Sequence, residues 1–460
     1  MLDDLFDHLQ SLREQPAWRP IPDQVRALRR TPLPTAPQPL AEVHDSFLSE
    51  VLPYGSANLH PGFMGWVQGG GTPVGMLAEM LAAGLNANCG GRDHIPIEVE
   101  QEVGGWVRQM FGFPGTSVGL LVTGTSIANF IGVLAARQRA LGPGVRARGI
   151  ANGGDKLTAY ASRAVHSCVP RAMEMAGLGR DALRMIPVGP DHRIDLSALR
   201  ASLAADRAAG LKPFLIVGNA GTVDTGAIDD LGALADIAAN EDCWLHIDGA
   251  FGALGVLTPA VAPRLAGIER ADSIAFDFHK WGQVPYDAGY FLARDGALQR
   301  EVFAGDAQYL RREPRGLAAG DWWPGDYGPD LSRGFRALKV WFTLKVLGAD
   351  AIGASIARSC DLGQALGRMV AASPALELLA PVQLNIVCFR YRCDDSDRIN
   401  AAIVADLQEA GRVAPSLTRI DGQVAIRAAL FNHRTDQSDI EALVQSCVAL
   451  GDAAVRPGAA

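Results

Sequence analysis

Ser273-Ile-Ala-Phe-Asp-Phe-His279-Lys280-Trp281 carries an apolar run to a lysine, and one helix-and-strand length earlier Trp244-Leu-His-Ile-Asp248 carries another to an acid. Short apolar runs of this kind read as buried strands. The acid and the lysine lie 32 positions apart. In parallel sheets ligands bind beyond the carboxyl ends of the strands, so two such ends are placed to share one ligand. Pyridoxal phosphate needs this pair. A lysine amine forms a Schiff base with its aldehyde, and a carboxylate keeps its pyridine nitrogen protonated so that the ring accepts electrons. A lysine at a strand end is by itself an ordinary structural feature, so the reading depends on what surrounds it.

Around this pair, from Thr72 to about Leu347, helical stretches alternate with short apolar strands. The expected strands are Gly119–Val122, Leu157–Ala161, Leu183–Val188, Phe214–Gly218, Cys243–Ile247, Ser273–Phe276 and Gly289–Ala293. Ser167–Ala176, Leu196–Ala209 and Leu231–Ala239 read as helices between them. Apolar strands separated by helices predict an α/β fold with a mostly parallel sheet covered on both faces. After about Asp350 the texture changes. Val382–Tyr391 and Gln423–Arg427 read as strands, and Ile399–Ala410 and Ser438–Leu450 as helices, which predicts a smaller α+β domain. The proline-rich Thr31-Pro-Leu-Pro-Thr-Ala-Pro-Gln-Pro39 favours extended structure and reads as an arm. Leu40 to Leu52 has helical spacing. The expected organisation is an N-terminal arm and helical segment over 1–65, a large domain over 66–347 and a small C-terminal α+β domain over 348–460, whose last residues, Arg456 to Ala460, look frayed.

The 460 residues are 48% hydrophobic and 20% charged, ample material for a large core. The net charge of −8 and the absence of a basic stripe argue against nucleic acid. Seven scattered cysteines form no CxxC pair, so neither a zinc site nor a disulfide framework is expected, and no metal is assigned. Met1-Leu-Asp-Asp-Leu-Phe-Asp7 does not look like a signal peptide, and no apolar run approaches the ~20 residues of a membrane span. The expected location is the cytoplasm.

Several further residues fall into order along the chain. Leu120-Leu-Val-Thr-Gly124-Thr125-Ser126-Ile-Ala-Asn129 joins a strand, a glycine turn with two hydroxyls and an amphipathic helix. Free N–H groups at a helix start, joined by hydroxyls, cradle phosphate, although an ordinary helix cap has the same appearance. His166 precedes a helix; its imidazole reads either as a capping residue or as a ring that stacks on a cofactor and exchanges protons. Thr222 lies in the polar loop Gly218-Asn-Ala-Gly-Thr-Val-Asp-Thr-Gly226. A carboxylate such as Asp248 at the end of a buried strand is costly unless paired, and the small Gly249 and Ala250 beside it leave room for a flat ring.

In this order the chain resembles the group II pyridoxal phosphate-dependent amino-acid decarboxylases, a family that includes the aromatic-L-amino-acid, histidine, tyrosine and glutamate decarboxylases. The lysine signature fits: Ser273, an apolar residue, five more residues, then Lys280-Trp281-Gly282. His60-Pro-Gly-Phe-Met-Gly65 and Phe335-Arg-Ala-Leu-Lys339-Val-Trp341 also look like family segments, and the resemblance runs from about Pro20 to about Arg434. It implies the type I aminotransferase-like fold, a homodimer with the site between subunits, and an N-terminal segment that wraps the partner. It further implies that Lys280 carries the cofactor, His279 lies near the phosphate, Asp248 pairs with the ring nitrogen and Ala250 packs beside the ring. His166 would stack on the other face, Thr222 would lie at the ring edge, and Thr125 and Ser126 would hold the phosphate.

The chain departs from the family pattern in places. Ile127 stands where relatives often have Glu, Asp277-Phe278 where many have Asn-Pro, and Gly69-Gly-Gly71 where some have a hydroxyl. In the mobile loop, Tyr309 to Ser332, relatives carry a Tyr that reprotonates the substrate carbon, and a Phe there gives aldehyde synthases. An ungapped count from Phe335 puts Pro324 at that position, and Tyr327 is the nearest candidate donor. The expected activity is decarboxylation of an L-amino acid to the amine and CO2, with Lys280, Asp248, His166 and Tyr327 as catalytic residues. Phe63 and Trp66 suggest an aromatic pocket or, equally, two core residues. The alternatives are an aromatic aldehyde synthase on the same scaffold, a catalytically silent cofactor-binding protein, or an aminotransferase.

Overall fold

The computed structural model describes residues 1–151, 153–305, 308 and 311–455. Its strands are β1 (Phe63–Met64), β2 (Val118–Val122), β3 (Leu157–Ser162), β4 (Leu183–Ile186), β5 (Lys212–Asn219), β6 (Trp244–Asp248), β7 (Ser273–Asp277), β8 (Gly289–Ala293), β9 (Leu376–Leu378), β10 (Ile386–Tyr391), β11 (Ala414–Ile420) and β12 (Gln423–Ala429). The chain divides into two compact units, Gly71–Arg358, and Met1–Gly70 together with the chain from Ser359 onward.

The first unit is built on a seven-stranded sheet of order β2-β8-β7-β6-β5-β3-β4. All seven expected strands are present, and β2, β3, β6, β7 and β8 are buried along their whole length, as a sheet covered on both faces requires. β3, β4, β5, β6 and β7 run parallel, whereas β8 is antiparallel to both its neighbours. It follows that β2 points the same way as β7, and the carboxyl ends of six strands share one edge of the sheet. Asp195 and Asp230 cap the helices that follow them, Leu196–Ala208 and Leu231–Asn240, by accepting from Ser197 and Ala198 N–H and from Ala233 N–H.

Gly289 fixes the spacing at that edge. It pairs with Val122 of β2 on one side and with Asp277 of β7 on the other. A Cβ on Gly289 would lie 2.4 Å from the Gly124 Cα, so only glycine lets the turn after β2 fold down over β8. The outer edge of β2 is closed by side chains. Glu100 accepts from Leu121 N–H at 3.1 Å, and Arg333 Nη2 donates to the Leu121 carbonyl at 2.7 Å. The two side chains, 2% and 1% exposed, also pair with each other and so stand in for a missing neighbouring strand.

The second unit has a five-stranded sheet of order β1-β11-β12-β10-β9, with β1 parallel to β11 and the other pairs antiparallel. Met64, Leu366, Val387, Phe389, Ile403, Leu407, Ile426 and Leu443 form its core. The strand expected from Val382 begins only at Ile386, and the Asn385 amide before it donates to the Leu430 carbonyl at 2.9 Å. Residues 26–43, which include the proline-rich arm, are exposed throughout. Phe63 is buried beside Ala17 and Ala414, whereas Trp66 is 61% exposed.

One helix, Arg336–Ala372, is long and apolar enough to pass a membrane-span test by length and composition. It is broken at Gly348 and carries Lys339, Lys345, Asp350, Arg358, Asp361 and Arg368 along its length. Among the described residues no group of three or more His, Cys, Asp or Glu is placed to hold a metal ion.

Candidate active site

Four ends of the large sheet bring their polar residues together. The carboxylate of Asp277 closes β7. It accepts from Thr125 N–H at 2.7 Å, lies 2.8 Å from Lys280 Nζ and 3.5 Å from His279 Nε2. The start of helix Thr125–Leu141 is therefore capped by an acid 152 residues away. Burial pushes the Asp277 carboxyl upward, but the charge of Lys280, with donors from Lys280 and Thr125, outweighs it and holds the group below its usual range.

His279 is neutral. Ala288 N–H donates to its Nδ1 at 3.0 Å, so the ring proton sits on Nε2 and faces Asp277. Burial lowers its pKa to about 4 against the pull of Asp277. Its ring also lies on that of Tyr286, with centroids 4.1 Å apart. Lys280 keeps a side-chain exposure of 18%, whereas its partner Asp277 keeps 2%.

Asp248 closes β6. It is buried, and desolvation raises its carboxyl pKa, with His166 and Lys280 acting against the rise. Its Oδ2 accepts from Asn129 Nδ2 at 3.1 Å and its Oδ1 from Ala250 N–H at 3.3 Å. Ala250 in turn accepts Asp277 N–H at 2.9 Å, which ties the two acid-bearing ends together. His166 is exposed near Asp248; its Nδ1 accepts from Cys168 N–H at 3.2 Å, which leaves Nε2 to donate. Ser126 is exposed beside Cys168. Thr222 is drawn inward instead. Its hydroxyl lies 3.0 Å from that of Thr225 and accepts from Ala227 N–H at 3.0 Å, so it is engaged within its own turn.

Tyr327 is not brought to this cluster. Its ring stacks on Trp322 with centroids 5.9 Å apart, and its carbonyl accepts from Gln299 Nε2 at 2.7 Å. Pro324, the residue reached by the ungapped count, begins the short 3-10 turn Pro324–Asp326. Tyr309 and Leu310, the first residues of the expected loop, lie outside the described residues.

These residues fit a phosphorylated pyridine. Thr125 Oγ1 is buried at the helix start with no hydrogen-bond partner, which a phosphate oxygen would supply. Asp248 is a buried carboxylate whose donors are both neutral, so a ring N–H⁺ would relieve its desolvation. The residues that sequence reading passed over are Asn129, His246, Ser273 and Asp277 as partners. One signal was present: His246 interrupts an otherwise apolar strand, and a histidine there needs partners on both nitrogens.

Residues 22–392 match the family model of the pyridoxal-dependent decarboxylase conserved domain. The chain belongs to that family. It is 31% identical to an aromatic-L-amino-acid decarboxylase of Bacillus atrophaeus, over 98% of this chain and 94% of that protein. It is also 25% identical to a phenylacetaldehyde synthase of Arabidopsis thaliana, over 96% and 92%. Among solved structures, the glutamate decarboxylase domain of a diaminobutyrate-pyruvate transaminase and L-2,4-diaminobutyrate decarboxylase from Vibrio parahaemolyticus superposes with a TM-score of 0.87. That domain is 26% identical, with 98% of this chain and 94% of that one covered. The family's cofactor is pyridoxal phosphate, and the fold is of the expected α/β class.

Proposed function

We propose that this protein decarboxylates an aromatic L-amino acid to the corresponding amine and CO2. The observation that carries the reading is the meeting of a partly exposed lysine, a buried carboxylate whose donors are both neutral and a partnerless threonine hydroxyl at one sheet edge. The aromatic preference rests on the names of the relatives. Bound pyridoxal phosphate supplies the electron sink into which the bond to the departing carboxylate collapses.

The chain's own residues do the rest. Lys280 is the residue that would carry the cofactor and yield it to the substrate amine. Thr125, with Ser126 and the helix start, would hold the phosphate, and His279 offers its Nε2–H in the same cradle. Asp248 would balance the ring nitrogen, and Ala250 leaves space beside it. His166 presents its Nε2–H near Asp248, where it can orient the substrate or exchange a proton at Cα. Thr222 supports the neighbouring loop. Tyr327 is the candidate that returns the proton after CO2 leaves, and this role requires it to leave its present packing on Trp322.

We further propose a homodimer. Helix Pro73–Leu85 is apolar yet buries only Gly75 and Ala78 within its own unit, leaving Met80, Leu81 and Leu85 exposed, a face suited to a second copy. The seven free cysteines suit a reducing compartment, and we place the protein in the cytoplasm. The test of function is incubation of the cofactor-loaded enzyme with tryptophan, tyrosine, phenylalanine and their hydroxylated forms. Stoichiometric amine and CO2 are expected. Aldehyde with ammonia and oxygen uptake would assign the synthase activity instead, and no CO2 from any aromatic amino acid would reject the proposal.

A further inference from the structure

Behind Asp248 lies a line of buried polar groups whose directions can be worked out one at a time. Asp248 Oδ2 is a carboxylate oxygen and accepts, so the Asn129 atom 3.1 Å from it is the amide nitrogen. The Asn129 oxygen therefore faces the other way, and it lies 2.7 Å from His246 Nε2. An amide oxygen only accepts, so Nε2 carries a proton. His246 is fully buried, and burial lowers its pKa to about 3, so the ring is neutral and Nδ1 is bare. Nδ1 then accepts from Ser273 Oγ at 2.7 Å, and Ser273 Oγ accepts from Trp244 Nε1 at 2.8 Å. Every bond donates toward Asp248.

The surroundings keep this line in place. Trp244, His246 and Asp248 share β6, and Ser273 pairs with His246 across to β7. Gly132, one turn beyond Asn129 on the same helix, has no need of a left-handed backbone. A Cβ there would lie 2.7 Å from the His246 ring, so the glycine makes room for the imidazole. The titratable groups that act on Asp248 itself are His166, Lys280 and Cys168. His246 touches none of the reacting atoms.

We propose that His246 is a positioning residue for the decarboxylase reaction: through Asn129 it aims and sustains the Asp248 carboxylate, and the Asp248 charge fixes the His246 tautomer in return. The inference rests on the assignment of Asp248 to the cofactor's ring nitrogen. If Asn129 turned its amide over, oxygen would meet oxygen at Asp248, and the only way to avoid this is to keep the proton on Nε2.

The test uses the cofactor-loaded enzyme labelled with 15N-histidine and reconstituted with cofactor labelled at the ring nitrogen. Like His279, one further histidine of the nine is expected to remain neutral with its proton on Nε2 between about pH 6 and pH 9, and this second signal alone is expected to vanish from the spectrum of His246→Gln. His246→Leu removes the donor to Asn129 and should weaken cofactor affinity about tenfold, with the ring-nitrogen resonance moving toward the unprotonated form. His246→Gln places an amide N–H where Nε2–H stood and should restore most of both. Should His246→Leu fail to fold, Ser273→Ala and Gly132→Ala disturb the ring more gently and are expected to shift the same two readouts in the same direction. A proton on Nδ1 in the wild type, or Leu and Gln variants with the same affinity, would overturn the proposal. Asp248→Asn separates the two layers. If it too leaves affinity and ring resonance unchanged, the Asp248 assignment is what fails.

Discussion

The Glu100–Arg333 pair gives the sharpest stability prediction. A buried ion pair is ordinarily replaceable: removing one partner costs about 3–5 kcal/mol, but exchanging both for apolar groups is close to neutral. Here both side chains also serve the backbone. Arg333 donates to the Cys89 carbonyl at 2.9 Å and to the Leu121 carbonyl at 2.7 Å, and Glu100 accepts from Leu121 N–H at 3.1 Å. Glu100→Leu combined with Arg333→Met would leave three buried backbone groups unpaired, each worth about 1–3 kcal/mol. The double variant should therefore lose about 4 kcal/mol, as much as either single variant. With an unfolding entropy of about 2.1 cal/mol/K per residue, a unit of roughly 290 residues would show this as a fall in Tm of about 6–7 °C. Scanning calorimetry at equal cofactor saturation measures it. A double variant within about 1 °C of wild type would show that the edge of β2 is satisfied by other means and refute the reasoning.

Four further outcomes follow from the site and its surroundings. Asp248→Ala should not destabilise the cofactor-free protein, because burial alone raises that carboxyl, yet it should cost about 3 kcal/mol of cofactor binding, read by equilibrium dialysis. Asp277 behaves oppositely. Its folded pKa is depressed, so its contribution is present above the unfolded value of about 3.8 and is lost as pH falls through the lower folded value. Asp277→Asn, which keeps an acceptor for Thr125 N–H, should flatten that acid limb in urea titrations of the cofactor-free protein. Tyr327→Phe should lower amine yield at least tenfold or divert product to aldehyde by mass spectrometry; an unchanged amine yield would remove Tyr327 from the mechanism. Leu81→Glu should shift sedimentation from dimer toward monomer, since a charge on the apolar face of Pro73–Leu85 cannot be buried unpaired.

The large sheet was legible because strands buried on both faces read as unbroken apolar runs, and the polar residue that ends each run marks the edge where ligands bind. Asp248 and Lys280 were singled out in this way, and Thr125 and His166 by their places just before helices. The partners of these residues were not, since Asn129 meets Asp248 across 119 positions and Arg333 meets Glu100 across 233. Nothing local signals such a pairing. Asp277 looked like a mere departure from its relatives until its carboxylate was seen to hold the lysine and cap a helix at once. β11 escaped notice because Pro415 and Ser416 interrupt its pattern, and Pro415 is tolerated beside β1, a strand of two residues. Thr222 shows the limit of order along the chain: its hydroxyl is engaged in its own turn.

The position of β8 also bears on when a working site can first exist. β2, which leads into the Thr125 cradle, joins the sheet only through β8, and β8 is the last of the seven strands to leave the ribosome. Until Gly289–Ala293 has slid between β2 and β7, the cradle and Lys280 belong to separate pieces of chain. If Thr125 and Lys280 hold the cofactor as proposed, pyridoxal phosphate should bind only to chains in which β8 has taken this place.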